Sequence, residues 1–557
     1  MQGIGYQSDF ERPVAPVAQT EKSRRLGNGS APGVVSRLGE AAGTIRENPR
    51  FGFASARFLQ THQMMKIWKL GMGLLIVPVM LTGRPFTVVA YNVENLHDAD
   101  GVAVYDDYQP SIYTHAHALT KVNNIASVLA KFNAGQGPDI ALLQEIEIDQ
   151  TPGKTPPDYA GILKRYAGTT IDRMLGADFT PEIADLPAEA LLLKACVDHG
   201  LTGYSVVTGG DQPGKHEDGH GHAIKTVVFT KFPVKAVHVY PTLNARNILE
   251  VELDVDGYPL TVFDNHWKSG AGDPKTEEFR VDNARTLKRR VDELLKADPN
   301  ADLIIGGDLN SHYNQKRRYR TMKQTGINDI LGSQGNELAV RGPAKDLYNL
   351  WFELPPEDRG SDTFRGQWGT LMNLIISRGL YDMRGVQYAD NSFGVARFPG
   401  LNADSSGRPV RWNEKKPAGA GFSDHFPIYA RFTTVADNQP GKFMPLHRVA
   451  GVDDDSSAGN NADFKTTAIT GDKIPAGADL RDGTWSGKLF FVEGKAVENR
   501  YSKVNAFGDV YDVYSPDKEI RDALAAQKSG GKYKFYGELG QYKNRWQFVV
   551  QSMEWVK

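Results

Sequence analysis

An aspartate and an asparagine follow a short apolar run in the middle of the chain, at Ile304-Ile305-Gly306-Gly307-Asp308-Leu309-Asn310. The apolar residues at 303–305 predict a buried strand, and the two glycines would let the backbone turn sharply at its end. Asp308 and Asn310 can then project to the same side, where a carboxylate and an amide could activate and orient a water molecule. Gly-Asp-x-Asn also forms ordinary turns, so this segment alone leaves both interpretations open.

Four other segments place polar side chains at the ends of predicted strands. Asn92 ends a β-branched run at 86–91, and Glu145 follows an apolar run at 140–143. His266 ends a third run, and a Ser-Asp-His triplet at 423–425 precedes another apolar stretch. Together with the Asp308 motif, these five segments in this order resemble the endonuclease/exonuclease/phosphatase superfamily of deoxyribonuclease- and exonuclease III-like enzymes. The resemblance covers about residues 86–432.

The resemblance implies an α/β fold, a four-layer α/β sandwich of two packed sheets with outer helices. The site would lie where strand ends from both sheets converge. The chain alternates accordingly, because amphipathic helices are predicted at 121–132 and 278–297 between the strands. Further strands are predicted at 227–229 and 248–253, while residues 150–215 carry no family motif and are expected to form a helical and loop insertion.

Hydrolysis of a phosphodiester needs a divalent cation to neutralise charge, a base to activate water, and donors for the transition state. Mg²⁺ prefers a few carboxylate oxygens and keeps several waters. We therefore expect Glu145 as the principal metal ligand with Asn92 beside it, and Asp308, assisted by Asn310, as the base or water-orienting group. Asp424 could help to hold the metal ion or orient a neighbouring group. The predicted cofactor is Mg²⁺ or Mn²⁺, with Ca²⁺ as a further candidate.

The two histidines of these motifs, His266 and His425, are expected to donate to phosphoryl oxygens. Which of them protonates the leaving oxygen stays open at this point. The basic run at 316–320 follows the Asp308 motif, where it could bind phosphates flanking the scissile bond. The candidate substrate-binding residues are Lys268, Arg317 and Arg318.

The chain departs from the family pattern after Trp368. The family usually has Leu-Asp-x-Ile-Leu here, with an aspartate that orients the motif histidine, but this chain has Leu371-Met372-Asn373-Leu374-Ile375. A thioether cannot orient an imidazole or stabilise its charged form. Asn373 could replace the aspartate only if it faced the site, and a shift of one residue normally reverses the face. Reduced activity is therefore expected, and Met372→Asp is expected to raise kcat.

Composition limits the other possibilities. The 557 residues exceed one typical domain, and 40% hydrophobic residues with a net charge of −2 describe a globular protein without a global basic field. Any binding of a polyanion must therefore be local. The single cysteine, Cys196, excludes an intramolecular disulfide framework and a cysteine-based zinc site.

The N-terminal region has two distinct patterns. Residues 1–63 are rich in Gly, Ser, Arg and Pro without a sustained apolar period, which predicts a disordered extension. From Met64 two lysines precede an apolar run at 70–81 that is too short for a comfortable transmembrane span. We interpret 64–83 as a secretory signal peptide, with a buried leader helix as the alternative. The prediction is a secreted or periplasmic protein without stable membrane association after cleavage.

The composition changes again beyond the catalytic region, which we place at 84–432. Residues 433–463 are polar and rich in Asp, Asn, Gly and Ser, which is typical of a linker. Residues 464–557 contain short predicted strands separated by glycines and are similar to an OB-fold-like β-barrel. The aromatic residues of this region could stack nucleic-acid bases or could simply fill the barrel: Tyr533, Phe535, Tyr542 and Trp546.

Three functions fit the sequence. The first is a metal-dependent nuclease, and the second is a phosphomonoesterase or lipid phosphodiesterase with the same machinery, because the fold does not fix the substrate. The third is a catalytically weakened binding protein, which Met372 would explain. The appended barrel and, to a smaller extent, the basic run favour a nuclease. The expected partner is a nucleic acid, with DNA as the first candidate, and no protein partner is inferred. The sequence does not decide whether the substrate is DNA or RNA, or whether the activity is that of an endonuclease or an exonuclease.

Overall fold

The computed structural model describes residues 84–435 and 468–557, apart from short stretches within them. The stretches left out are 152–156, 211–222, 320–321, 336–339, 341–346, 356–357, 365–366, 483, 486–487, 499–501, 516–517, 543–544 and 551–552. The predicted extension, the predicted signal peptide and most of the predicted linker lie outside the described residues. All described residues belong to the unit Pro78–Lys557.

Two mixed seven-stranded sheets form the catalytic region. The first contains, in spatial order, β14 (Gly385–Tyr388), β16 (Ile428–Val435), β1 (Pro85–Leu96), β2 (Ile140–Glu147), β4 (Ile224–Thr230) and β3 (Ser205–Thr208), with β15 (Gly394–Val395) paired to β16. The second contains β5 (Val234–Tyr240), β6 (Ile248–Val255), β7 (Tyr258–His266), β8 (Leu303–Asp308), β13 (Met372–Ile376), β10 (Leu347–Asn349) and β9 (Ser333–Gln334). A separate hairpin consists of β11 (Asp362–Phe364) and β12 (Gln367–Gly369).

The helices of the catalytic region lie mainly outside the sheets. They are α1 (His115–Leu129), α2 (Tyr159–Arg165), α3 (Ile171–Met174), α4 (Pro181–Ala184), α5 (Ala188–Asp198), α6 (Pro274–Ala297) and α7 (Gln315–Arg318). The described residues also form a π-helical turn at Gly326–Ile330 and short 3-10 segments at Asp106–Tyr108, Asn133–Gly135, Leu350–Glu353, Arg378–Tyr381, Gly471–Lys473 and Met553–Trp555. Residues 157–210 of the predicted insertion are helical and loop-rich as expected, but they also supply the edge strand β3.

The alternating direction of side chains along each strand explains why the sheets pack against each other on one face and against helices on the other. Val88 and Ala90 of β1 face the core between the two sheets, whereas Val89 and Tyr91 face the helices outside the first sheet. Because such a strand is buried on both faces, its sequence is a nearly continuous apolar run. The helix α6 covers the outer face of the second sheet. The predicted four-layer α/β sandwich is therefore confirmed.

Two local predictions need correction. The helix α1 begins at His115, six residues before the predicted start, because Thr114 and His117 form a capping box there. Gly306 and Gly307 lie within β8 rather than in a turn after it. A side chain at Gly306 would clash with Leu142 of the opposite sheet, so this glycine permits close packing of the two sheets.

The C-terminal region is a small closed β-barrel, as predicted. Its strands, in spatial order, are β17 (Leu489–Ala496), β18 (Lys503–Ala506), β19 (Asp509–Tyr514), β21 (Arg545–Val549) and β20 (Lys532–Tyr542). The single strand predicted at 504–514 is in fact the β18–β19 hairpin, which turns at Phe507 and Gly508, both with positive φ. The helix α8 (Lys518–Ser529) was not predicted from the sequence.

The aromatic residues of the barrel divide into two groups. Tyr533 and Phe535 are buried and fill the barrel, whereas Tyr542 and Trp546 are half-buried. Residues 433–435, which the composition places in the linker, belong to β16. None of the helices in the described part of the chain is long and apolar enough to cross a membrane.

Candidate active site

Four of the predicted site residues meet where strand ends of the two sheets converge. His266 ends β7 and Asp308 ends β8, and these two residues are partners on neighbouring parallel strands. Asn92 of β1 donates through its Nδ2 to Glu145 Oε1 at 2.8 Å and to Asp308 Oδ2 at 3.0 Å. One buried amide therefore joins a carboxylate of the first sheet to a carboxylate of the second.

Irregular backbone directs these side chains. Glu145 has a φ of 65° where the register of β2 shifts, and Glu94 and Asn95 have φ values of 52° and 57° where the register of β1 shifts. Bulges of this kind re-aim a side chain at the end of a strand, and non-glycine residues in this conformation carry strain. The bulge in β1 also brings the Asn95 backbone N–H to Glu145 Oε2, at 3.0 Å. The sequence thus specifies the direction of Glu145 through two bulges.

Asp308 is held on its other side by Asn310. The backbone N–H of Asn310, which has a φ of 45°, donates to Asp308 Oδ1 at 2.8 Å. The side-chain amide of Asn310 donates to the carbonyl oxygen of Trp267 at 3.0 Å. Asn310 therefore orients the carboxylate through its backbone, while its side chain ties the loop to the end of β7.

The two motif histidines lie on either side of Asp308. His266 Nε2 is 3.6 Å from Glu145 Oε1 and 3.7 Å from Asp308 Oδ2. His425 Nε2 is 3.8 Å from Asp308 Oδ2 and 3.6 Å from Asp424 Oδ1. Both nitrogens face the space that the carboxylates border.

These histidines differ in charge. Burial, with the positive charges of Arg246 and His425, holds the pKa of His266 well below its usual value. Burial also opposes protonation of His425, but the carboxylates around it, Asp424 first, raise its pKa to about 9. At neutral pH His266 is therefore neutral and His425 is a charged donor, a distinction that the sequence left open.

Three side chains could hold a divalent cation. The candidate ligand atoms of Glu145, His266 and Asp308 all lie within 4.8 Å of one another. Burial, followed by the charge of Asp424, raises the pKa of Glu145. Crowded carboxylates in a buried site fit a bound cation, because a positive charge would relieve their desolvation and mutual repulsion.

Two residues that we expected to bind metal lie beside this group. The Nδ2 of Asn92 faces both carboxylates and its Oδ1 accepts the backbone N–H of Glu94 at 2.9 Å, so in this structure the amide orients the candidate ligands Glu145 and Asp308. Asp424 lies outside the three-residue group and pairs with Arg411 at 3.2 Å.

The structure adds residues that the sequence analysis missed. Glu94 accepts hydrogen bonds from the Trp412 backbone at 2.8 Å and from Arg411 at 3.0 Å. Burial and then the charge of Asp424 raise the pKa of Glu94 to about 7. Arg246 donates to the carbonyl oxygen of Trp267 at 3.3 Å beside the site. Glu94 could have been selected from the sequence because it lies within the first motif, whereas Arg246 lies in a loop that carries no motif.

The three candidate substrate-binding residues have different surroundings. Lys268 is partly exposed and follows His266 by two residues, and Arg317 is also partly exposed. Arg318 is buried, and its guanidinium donates to the Trp368 carbonyl oxygen at 3.2 Å. Arg318 therefore anchors the β11–β12 hairpin, because its guanidinium is turned into the protein.

Asn373 does not replace the aspartate that β13 lacks. Its amide donates to the Leu371 carbonyl oxygen at 2.9 Å and accepts from Asn349 at 3.0 Å. Met372 lies on the opposite face, buried in the core between the sheets. The expected reversal of face over one residue is what separates Asn373 from the histidines.

The comparisons with known proteins agree with this site. Residues 222–434, which include His266, Asp308 and His425, match the model of the Endonuclease/Exonuclease/phosphatase family. This match covers 213 of the 557 residues and agrees with the resemblance to the endonuclease/exonuclease/phosphatase superfamily seen in the five sequence motifs. That superfamily includes nucleases, phosphodiesterases and phosphatases, which act on phosphoester bonds. A search of curated proteins found no significant match.

Similar solved structures include three at low sequence identity. Truncated TDP2 from Caenorhabditis elegans is 16% identical, with 63% of this chain and 97% of that chain covered and a TM-score of 0.34. An endonuclease/exonuclease/phosphatase from Beutenbergia cavernae is 16% identical, with 63% and 72% covered and a TM-score of 0.36. D. rerio TDP2 complexed with a single-strand DNA product is 13% identical, with 62% and 98% covered and a TM-score of 0.33.

Proposed function

We propose that this protein is a metal-dependent phosphodiesterase that hydrolyses nucleic acid, with DNA as the preferred substrate. The observation that carries the proposal is the position of Asp308 between a neutral His266 and a charged His425, with Asn92 joining it to Glu145. This arrangement contains a base, an acid and a metal ligand within one buried cluster, and hydrolysis of a phosphodiester with a poor leaving group needs all three.

Each residue has a distinct role in this proposal. Asp308, fixed by the Asn310 N–H, accepts the proton of the attacking water. His425 protonates the leaving oxygen, and neutral His266 donates to a phosphoryl oxygen. Glu145 is the principal ligand of Mg²⁺ or Mn²⁺, which when bound neutralises charge on the phosphate. Asn92 keeps the two carboxylates at a fixed separation by donating to both.

An exposed aromatic ring in the hairpin that pairs with His425 supports nucleic acid as the substrate. The hairpin β11–β12 contains Asp362 and Phe364, which share one face because residues two apart on a strand point the same way. Asp362 forms a backbone bridge to His425, and Phe364 is 64% exposed. A ring in this position could stack on a base next to the scissile phosphate, and such stacking tolerates any base.

The proposed location is outside the cytoplasm, either secreted or periplasmic. This part of the proposal rests on the signal-like pattern at 64–83 alone.

The test compares substrates with the purified full chain. Plasmid DNA, RNA, a phospholipid, p-nitrophenyl phosphate and bis(p-nitrophenyl) phosphate are offered with Mg²⁺, with Mn²⁺ and with EDTA. We expect metal-dependent cleavage of DNA and of the diester, and loss of both in Glu145→Gln. The matched control is Glu182→Gln, which removes an exposed charge paired with Arg165 far from the site motifs. Preference for the phospholipid or for the monoester would overturn the proposed substrate.

A further inference from the structure

His425 has one ring nitrogen without a visible partner. Its Nε2 faces Asp308 and Asp424, whereas its Nδ1 is buried and has no hydrogen bond to any described residue. A histidine that transfers protons needs a group on its second nitrogen that fixes the plane of the ring and stabilises the charged form. Position 372, where that carboxylate was expected, holds a methionine.

A different carboxylate lies on the same face as the His425 ring. Asp362, the first residue of β11, pairs with His425 in an antiparallel backbone bridge. The adjacent Phe426 N–H donates to the Ser361 carbonyl oxygen at 2.6 Å, which fixes this pairing. Side chains of facing residues in an antiparallel pair emerge on the same side, with Cβ atoms about 4.5–5.5 Å apart. The side chain of Asp362 therefore emerges on the same side as the imidazole, although the two groups form no direct hydrogen bond or ion pair in this structure.

The carboxyl of Asp362 is also held in place by its surroundings. It is 5% exposed, and its Oδ1 accepts the Leu371 backbone N–H and the Ser361 hydroxyl, both at 3.2 Å. Leu371 immediately precedes Met372, so the carboxyl is attached to the strand next to the position of the missing aspartate. Its cross-strand partner is Gly369, where any larger side chain would clash with the carboxyl.

We propose that Asp362 is the positioning residue for His425, supplying from the β11–β12 hairpin the carboxylate that β13 lacks at Met372. The inference rests on the proposed function, because it assigns a partner to the acid of that reaction. It also removes the reason to regard the chain as a weakened enzyme, since the histidine keeps a carboxylate from a different element.

The experiment uses two phosphodiesters that differ in leaving group. In plasmid DNA the leaving group is an alkoxide, which needs a proton as it departs. In bis(p-nitrophenyl) phosphate the leaving group is a stable phenolate, which departs without one. In the full chain with Mg²⁺ we expect Asp362→Asn to lower kcat on DNA by about tenfold or more, with KM nearly unchanged. Cleavage of bis(p-nitrophenyl) phosphate should change by less than about twofold, because it does not depend on the acid.

Two further variants make the outcome decisive. Gly369→Ala displaces the Asp362 carboxyl without removing it, so it should reproduce the leaving-group-dependent loss if Asp362→Asn does not fold. The double variant Asp362→Asn/His425→Ala should be no slower on DNA than His425→Ala alone, because the two residues act as one unit. Asp358→Asn changes an exposed aspartate just before the hairpin and should leave both activities unaltered.

The failing results differ for the two proposals. If the unaltered chain cleaves neither phosphodiester, the proposed function is wrong. If it cleaves both but Asp362→Asn and Gly369→Ala leave DNA cleavage unchanged, only the role of Asp362 is overturned. An equal loss on both substrates that adds to the loss in His425→Ala would also overturn it, because a purely structural residue gives that pattern.

Discussion

Met372 and Asp308 are direct cross-strand partners in the ladder between β13 and β8. Met372 is fully buried in the core between the sheets, on the same face as the proposed base. The residue that replaces the expected aspartate is therefore an apolar wall beside Asp308. This relationship changes what substitutions at position 372 should do.

The geometry reverses the expectation that Met372→Asp raises kcat. A new carboxylate would be buried beside Asp308 in the apolar core between the sheets, which should destabilise the fold by about 3 kcal/mol or more. We expect a lower midpoint in urea denaturation and no gain in kcat on DNA. Met372→Leu, which keeps the volume, is the control and should cost less than about 1.5 kcal/mol. A faster and equally stable Met372→Asp would show that His425 lacks a carboxylate in the unaltered chain.

The bridge formed by Asn92 can be tested without changing its size. Asn92→Asp would place a third carboxylate at about the distances now occupied by the 2.8 and 3.0 Å hydrogen bonds, so repulsion should separate Glu145 from Asp308. We expect kcat on DNA to fall by about a hundredfold or more. The control is Asn391→Asp, an exposed position with positive φ that aspartate also tolerates. Activity that survived in Asn92→Asp would mean that the bridge does not organise the site.

Because His266 is neutral and His425 is charged, replacing each of them should affect cleavage of the two substrates differently. His425→Ala should reduce cleavage of DNA far more than cleavage of bis(p-nitrophenyl) phosphate, because only DNA needs the acid. His266→Gln should reduce both by similar factors, because a donor to the phosphoryl oxygen serves every substrate. Steady-state kcat values for each variant on both substrates provide the measurement. An exchange of the two profiles would assign the acid to His266.

A pH dependence of stability follows from Lys121. This buried lysine donates to the Phe422 carbonyl oxygen at 2.6 Å, and burial lowers its pKa to about 8. Its pKa in the unfolded chain is about 10.4. Between these values the unfolded chain binds more protons at this residue, so stability rises with pH there, and the cost of the buried charge is fully present below pH 8.

The comparison for this prediction is Lys121→Met, which keeps an unbranched side chain, one atom shorter, that cannot titrate. From about pH 7.5 to 10, in EDTA, the unfolding free energy of the unaltered chain should rise relative to Lys121→Met by about 3 kcal/mol at most. Urea denaturation at several pH values measures the difference. Parallel curves for the two proteins would show that Lys121 keeps an ordinary pKa in the fold.

The sequence was sufficient to predict the α/β sandwich and to select most of the residues that meet in the candidate site. Asn92, Glu145, His266 and Asp308 each stand at the end of an apolar run, and alternation along buried strands is a local property that the sequence displays. The direction of each polar atom was not predictable in this way. Asn92 proved to be a donor because of the backbone N–H of Glu94, a contact that only the bulge in β1 creates.

Other features depend on residues that are distant in the chain. Asp362 is brought beside His425 by a hairpin that carries no family motif, and its carboxyl is held by Leu371 and Ser361. The charge difference between the histidines arises from burial and from the surrounding charges, which no single segment encodes. Local periodicity predicts strands and helices, whereas these contacts follow from how the elements pack.

The hairpin bearing Asp362 also determines how easily the support of His425 could be moved back to β13 by protein engineering. Removing Asp362 first would leave a folded chain with an unsupported histidine. Introducing an aspartate at position 372 first would bury two carboxylates together, because Met372 packs opposite Asp308 in the core. Neither single exchange therefore yields a working intermediate, so the two positions would have to be redesigned together with the core around them.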